Sequence, residues 1–286
     1  MSTAFHKINH ATFMNETKFL PYSKRTAGLA GLVTAWAVMM GAEAATVKVS
    51  VENLGPAGGI FLTPVWVGFH DGSFDTYDLG SPASAGLERI AEDGNPGPLG
   101  GEFAASGAGA AGGVVGGAPI APGEVVSGMF ELNAASPKSR YFSFASMVIP
   151  SNDAFIANGN PTAWEIFDAS GGFLGAEFIV LGSMIRDAGT EVNSELPADT
   201  AFFGQSIPDT GTPEGAVVST HPGFLAVGSG GILDAAMFGN GDFTAAGYQV
   251  ARIRISAVPD LSSASGLLLL GSAGLLGLRR RIGRNL

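Results

Sequence analysis

Strict two-residue alternation in three well-separated segments constrains this chain more than any other feature. Thr46–Glu52 sets Val47, Val49 and Val51 against Lys48, Ser50 and Glu52. Tyr141–Val148 sets Tyr141, Ser143, Ala145 and Met147 against Phe142, Phe144, Ser146 and Val148. Tyr248–Val258 sets Val250, Arg252, Arg254 and Ser256 against Ala251, Ile253 and Ile255. A period of two belongs to a strand, whose side chains point alternately to opposite faces of a sheet. Each segment therefore predicts a strand with at least one buried face. Ile60–Phe69 and Glu124–Leu132 predict two more, with Pro64 marking an edge or a bulge in the former. Pro161–Leu181 predicts a hairpin turned at Asp168–Gly172. Helical spacing is confined to Ala83–Asp93, where Ser84 can cap and Leu87, Ile90 and Ala91 share a face. Seven or eight strands with one short helix predict an all-β fold, an antiparallel sandwich with long loops.

Composition agrees with one such core. Of 286 residues 43 are Gly and 16 are Pro, 46% are hydrophobic and only 14% charged. Leu99–Gly123 is low-complexity and dominated by Gly and Ala, and it predicts a long, mobile surface loop. Its glycines are not a phosphate cradle, because no Gly-Lys-Ser/Thr follows them. Cys is absent, which excludes thiolate metal sites and cysteine nucleophiles.

Both ends read as addresses. Residues 1–44 predict a signal peptide: Lys18, Lys24 and Arg25 precede an apolar run from Ala27 to Met40, and Ala42-Glu-Ala44 offers a small-x-small cleavage site. The mature chain would begin at Ala45, and translation could start at Met1 or Met14. Residues 259–286 carry a second apolar run, Leu261–Leu278, ended by Arg279, Arg280, Arg281 and Arg284. An apolar helix closed by arginines is a stop-transfer element oriented by the positive-inside rule. The domain between them, residues 45–258, is then displayed outside the cell. It holds 22 of the 25 acids but only seven of the 15 bases. Such a surface suits divalent cations and solubility, and it disfavours nucleic acid, whose phosphates need a basic patch.

Two acids occupy positions suited to a cation. Asp153 follows the turn Pro150-Ser-Asn at the end of a predicted core strand, and Asp187 opens a Gly-containing loop after Phe178–Ile185. Carboxylates on loops at strand ends are common oxygen ligands of Ca²⁺, which accepts several of them in flexible geometry. More often, Asp at such a position only caps a turn or opens a loop. The loop acids Asp71, Asp75 and Asp78 are expected to be solvated, as are Glu88 and Glu92 on the helix. His70 and His221 are the only histidines between the terminal segments. His70 beside Asp71 is expected on a surface loop, and His221 lies two residues after Ser219 without any Gly-x-Ser-x-Gly elbow.

Several segments together resemble the spondin N-terminal domain of extracellular matrix and bacterial surface proteins. The resemblance is carried by Ala83-Ser-x-Gly-Leu87, Ala91-Glu-x-Gly94-x-Pro96, Tyr141-Phe-Ser-Phe144, Ser146-Met-Val-Ile-Pro-Ser-x-Asp153 and Asp187-Ala-Gly-Thr190. It implies a C2-like β-sandwich that binds Ca²⁺ at a loop cluster, with Asp153 and Asp187 as ligands and Glu191 standing where the family has Asp. The tail from Val258-Pro onward resembles the PEP-CTERM/VPLPA-CTERM class of bacterial sorting signals. That implies an exosortase-type processing enzyme and release or attachment at the cell surface. Two functions follow as expectations. One is an exported, non-catalytic surface or matrix protein that meets extracellular polysaccharide or another surface ligand. The other is an exported hydrolase using a metal or His221.

Overall fold

A computed structural model describes residues 44–259. The expected signal peptide (apart from Ala44) and the apolar segment 261–278 lie outside the described residues. Among those described, no helix is long and apolar enough to cross a membrane.

The chain begins with β1 (Ala44–Asn53), β2 (Phe61–Leu62) and β3 (Val65–His70). Two helices follow, α1 (Ala85–Asp93) and α2 (Gly97–Ser106). Then come β4 (Gly109–Val115), β5 (Val125–Asn133), β6 (Tyr141–Ile149) and β7 (Ala154–Ala157). The last elements are β8 (Ala176–Leu181), β9 (Arg186–Asp187), β10 (Ser219–Thr220) and β11 (Gln249–Ala257). All strand pairings are antiparallel and form two sheets, one in the order β5-β1-β11-β8 and one in the order β10-β9-β7-β6-β3-β4, where β2 also pairs β6.

The alternating segments explain these layers. Val47, Val49 and Val51 of β1 and Ile253 and Ile255 of β11 face inward, against Val67 and Phe69 of β3 and Phe142 and Phe144 of β6. Trp164 stacks on Phe178 at 3.7 Å between ring centroids, closing one side of that core. The second sheet is covered on its outer face too. There Trp66, Ala145 and Phe155 meet Leu87, Ile90, Leu99 and Phe103 from the two helices. β6 is consequently buried on both faces, which its apolar residues and its hydrogen-bonded Ser143 and Ser146 permit.

Helix α1 starts as its sequence dictates: Ser84 accepts from the Leu87 N–H at 3.1 Å. Glu102 of α2 adds a carboxylate at the same helix start, accepting from the Gly86 N–H at 2.6 Å and from Ser84 Oγ at 2.7 Å. Gly94 ends α1 in the left-handed conformation, φ 64°.

Four expectations are corrected. Leu99–Gly123 is not a bare loop: it contains most of α2 and all of β4. Packing of Leu99 and Phe103 beneath Trp66 outweighs the poor helix propensity of its glycines. Pro161–Leu181 is no continuous hairpin. Only an isolated Phe167–Phe173 bridge spans the Asp168–Gly172 turn, and β8 pairs instead with β11. His70 lies not on a surface loop but in β3, with its side chain fully buried. Glu92 is not a solvated helix residue, being only 3% exposed.

The pairings also give the sandwich two distinct ends. Val47 pairs with Ala257, so the first and last strands enter and leave side by side. At the other end of β1, Asn53 donates its side-chain amide to the carbonyls of Ile60 and Ile120. Ile60 leads into β2, whose Phe61 pairs with Ile149. The Pro150–Asp153 turn is thereby set at the end opposite Ala44 and Ala257.

Candidate functional site

Two short pairings bring Asp153 and Asp187 together. β7 turns back along β6, β9 pairs with β7, and Ala154 stands directly opposite Asp187. The Ala188 N–H donates to the Asp153 carbonyl at 3.2 Å. Asp153 is completely buried. Its Oδ2 accepts from the Thr190 N–H at 2.8 Å, the Glu191 N–H at 3.2 Å and the Thr190 hydroxyl at 3.3 Å. Its Oδ1, equally buried, has no hydrogen-bond partner. Buried polar atoms are nearly always satisfied, so an orphaned carboxylate oxygen is an uncommon feature.

The other two predicted residues converge on the same place. Asp187 Oδ1 accepts from the Gly189 N–H at 2.7 Å, and its Oδ2 accepts from the Asn193 side-chain amide. Glu191 is 3% exposed, and its Oε1 accepts from the Gly211 N–H at 2.8 Å. Positive φ at Gly189 (69°) makes the tight bend that points the following N–H groups at Asp153.

Among the described residues no basic side chain bonds to any of these three acids, and the electrostatics reflect it. Burial, reinforced by the charge of Asp187, pushes the Asp153 carboxyl up to about 6, against the opposing pull of its N–H donors. Burial likewise pushes Glu191 up to about 7, with Asp153, Asp209 and Asp93 adding repulsion. Glu92 is pushed up to about 7 by burial, with Glu191 contributing. The cluster therefore extends onto α1, where Glu88, Glu92 and Asp209 place carboxylate oxygens within 4.8 Å of one another. This outer group has its own cation: Arg89 pairs with Glu92 at 2.8 Å, with Asp209 at 2.8 Å, and with Asp93. Desolvated carboxylates without a countercharge are costly unless a proton or a cation neutralises them.

Sequence reasoning missed Asn193, Glu92 and Asp209. Asn193 links two otherwise separate groups: its amide donates to Asp187 and its carbonyl oxygen meets His221 Nε2 at 3.2 Å. The only signal for it was its place two residues after Glu191. Asp209 sits in a long Pro-containing loop with positive φ (59°), and nothing local distinguishes it.

The histidines are both occupied. His221 is 5% exposed, takes the Gly223 N–H on Nδ1 and faces Asn193 with Nε2. Burial pulls it down to about 4 against the attraction of Asp187. Ser219 is exposed, and its hydroxyl donates to the Thr220 carbonyl rather than to His221. His70 takes the Gly72 N–H on Nδ1 and meets the Ser143 hydroxyl at 2.8 Å, and burial pulls it down to about 4 as well. Asp71 accepts from the Ser73 N–H and hydroxyl, the arrangement of an ordinary turn cap.

Among the described residues, the three acids whose oxygens all lie within 4.8 Å of one another are Glu88, Glu92 and Asp209, and Asp153, Asp187 and Glu191 do not form such a group. Asp153 Oδ1 accepts no bond and Oδ2 accepts three, while Asp187 Oδ1 and Glu191 Oε1 accept one each and keep a lone pair. No protein-family model matches the chain, and a search of the curated proteins found no match either.

Proposed function

We propose that this chain is an exported, non-catalytic surface or matrix protein of the spondin N-terminal type, and that the loops at Asp153 hold Ca²⁺. One observation carries the reading: the buried, unpartnered Oδ1 of Asp153 beside Asp187, two acids with no basic partner among the described residues. Asp153, Asp187 and Glu191 would supply the carboxylates. The bound ion would supply positive charge where the fold supplies none, and would tie the 187–215 segment to the end of β6. Its role is structural, and it shapes the loops at the end of the sandwich remote from Ala44 and Ala257.

Display outside the cell rests on the terminal segments and their resemblance to a signal peptide and a sorting tail. With residues 260–286 as a tether, the Asp153 end would face away from the membrane. β1, ten residues long, would hold it off by about 30 Å. That end would meet extracellular polysaccharide or another surface ligand, and an exosortase-type enzyme would process the tail. The alternative, a hydrolase built on His221, would have to free a ring whose two nitrogens are both engaged.

The test is metal analysis of the purified chain, followed by thermal unfolding in chelator and in Ca²⁺. The reading expects about one bound Ca²⁺ and a midpoint raised by its addition. A midpoint indifferent to chelator and to Ca²⁺ would reject it.

A further inference from the structure

Four strands form the free edges of the two sheets, and they are not equally protected. β10 has two residues, and β8 carries Glu177, which meets Arg252 and Arg254. β5 is different. It runs nine residues, Val125–Asn133, pairs only with β1 among the described residues, and has no Lys, Arg or Pro. Of its side chains only Leu132 is buried, while Val125 and Met129 are 61% and 59% exposed. Beside it, at the edge of the other sheet, lies β4, Gly-Ala-Ala-Gly-Gly-Val-Val, with no charge at all. A long edge with a single charge presents a row of unpaired N–H and C=O groups, which soluble proteins normally guard with Lys, Pro or a bulge.

We propose that β5 is a self-association edge, pairing antiparallel with β5 of a second copy of this chain. The sequence of the strand favours its own copy. Centred on Met129, the pairing sets Met129 against Met129 of the second copy, Val125 against Asn133, Ser127 against Glu131, and Gly128 against Phe130. No two like charges and no two aromatic rings oppose each other in this register. Glu131, the only charge in the strand, is already bonded to the Thr46 hydroxyl at 2.7 Å within its own chain. A two-fold axis through Met129 makes the contact closed, and it joins two four-stranded sheets into one of eight. The flank of a two-sheet sandwich here is about 30 Å long and about 20 Å deep, or roughly 600 Å² per partner. That sits at the small end of stable interfaces, so the test is set at micromolar and higher concentrations. The cation site is remote from this edge and is not required.

Because the chain has no cysteine, a single one reports the geometry without interference. Met129→Cys in the full chain, oxidised at ten micromolar, is expected to give a disulfide-linked dimer. Facing residues in an antiparallel pair lie at Cα separations of about 4.5–5.5 Å, within disulfide range. Met237→Cys, 63% exposed but away from the edge, is expected to stay monomeric. Sedimentation of the unmodified chain should show a monomer–dimer equilibrium that Met129→Lys weakens at least tenfold, with the unfolding midpoint of the variant confirming its fold. Equal cross-linking of both cysteine variants, or an unmodified chain monomeric at 100 micromolar, overturns the proposal.

Discussion

Replacing Asp153 by Asn separates a calcium-holding carboxylate from a structural one. The amide keeps an oxygen for the Thr190 and Glu191 N–H groups, and its nitrogen falls where Oδ1 lacks a partner, near the Asp187 carboxylate. Only the charge is lost. Asp153 rises from an ordinary value near 3.8 to about 6, so ionising it in the metal-free fold at pH 7.5 costs about 3 kcal/mol at 1.36 kcal/mol per unit. Asp153→Asn should therefore stabilise the chelated protein by about 1–3 kcal/mol, the lower bound allowing for imperfect accommodation of the amide. For a domain of this size each kcal/mol moves the midpoint by about 2–4 °C. In saturating Ca²⁺ the order should reverse. Wild type gains RT ln(1 + [L]/Kd), about 4 kcal/mol at a thousandfold excess over Kd, and the variant gains far less. The assay is calorimetric unfolding at pH 7.5 with chelator and with 1 mM Ca²⁺. Curves that do not cross, with the variant below wild type by the same margin in both conditions, would refute the reasoning.

The remaining outcomes are simpler. The calcium-induced gain should be largest above pH 7 and nearly absent at pH 5, because protons then neutralise the same groups. Folded-state values near 6 for Asp153 and 7 for Glu191 exceed the unfolded ones, so their metal-free contribution favours folding at low pH and is lost as pH rises through 6 to 7. His70 and His221 act oppositely: lowered to about 4, they favour folding above pH 6.5, and that contribution is lost as pH falls toward 4. Unfolding midpoints across pH 4–8, with and without Ca²⁺, test both signs. Asn193→Leu should cost about 2–4 kcal/mol by denaturant titration, since it strips one partner each from buried Asp187 and His221. Gly182→Ala should cost more than 2 kcal/mol in the same assay, because the new Cβ would lie 1.9 Å from the Phe243 carbonyl oxygen.

The strands were legible where one physical demand dominated. β1 and β11 show a single buried face, and alternation of Val and Ile with polar residues reports it directly. α1 was legible because Ser84, Leu87 and Ile90 act within one helical turn or two. What failed depends on partners distant in the chain. α2 is held by Leu99 and Phe103 against Trp66, more than thirty residues away, and its glycines mask that pair. His70 was read with Asp71 as loop because its β3 position is fixed by pairing with Tyr141. For the candidate site, the motif at Asp153 and the loop at Asp187 were visible. Their juxtaposition was not, since it needs β9, a strand of two residues. Glu92 reads as solvated by composition, whereas the fold buries it beside Thr190 and Glu191 of the 187–215 segment.

The neighbouring placement of the first and last strands has a mechanical consequence. Pulled between residues 44 and 257, β1 and β11 would peel apart like a zipper, one hydrogen bond failing at a time. Force entering through the loops around Asp153 and leaving at residue 257 instead runs lengthwise along β11. Its bonds to β1 and β8 lie across that direction and must yield together. The same protein is thus brittle along one axis and tough along the other, and the tough axis links the acidic loops to the point where the chain departs.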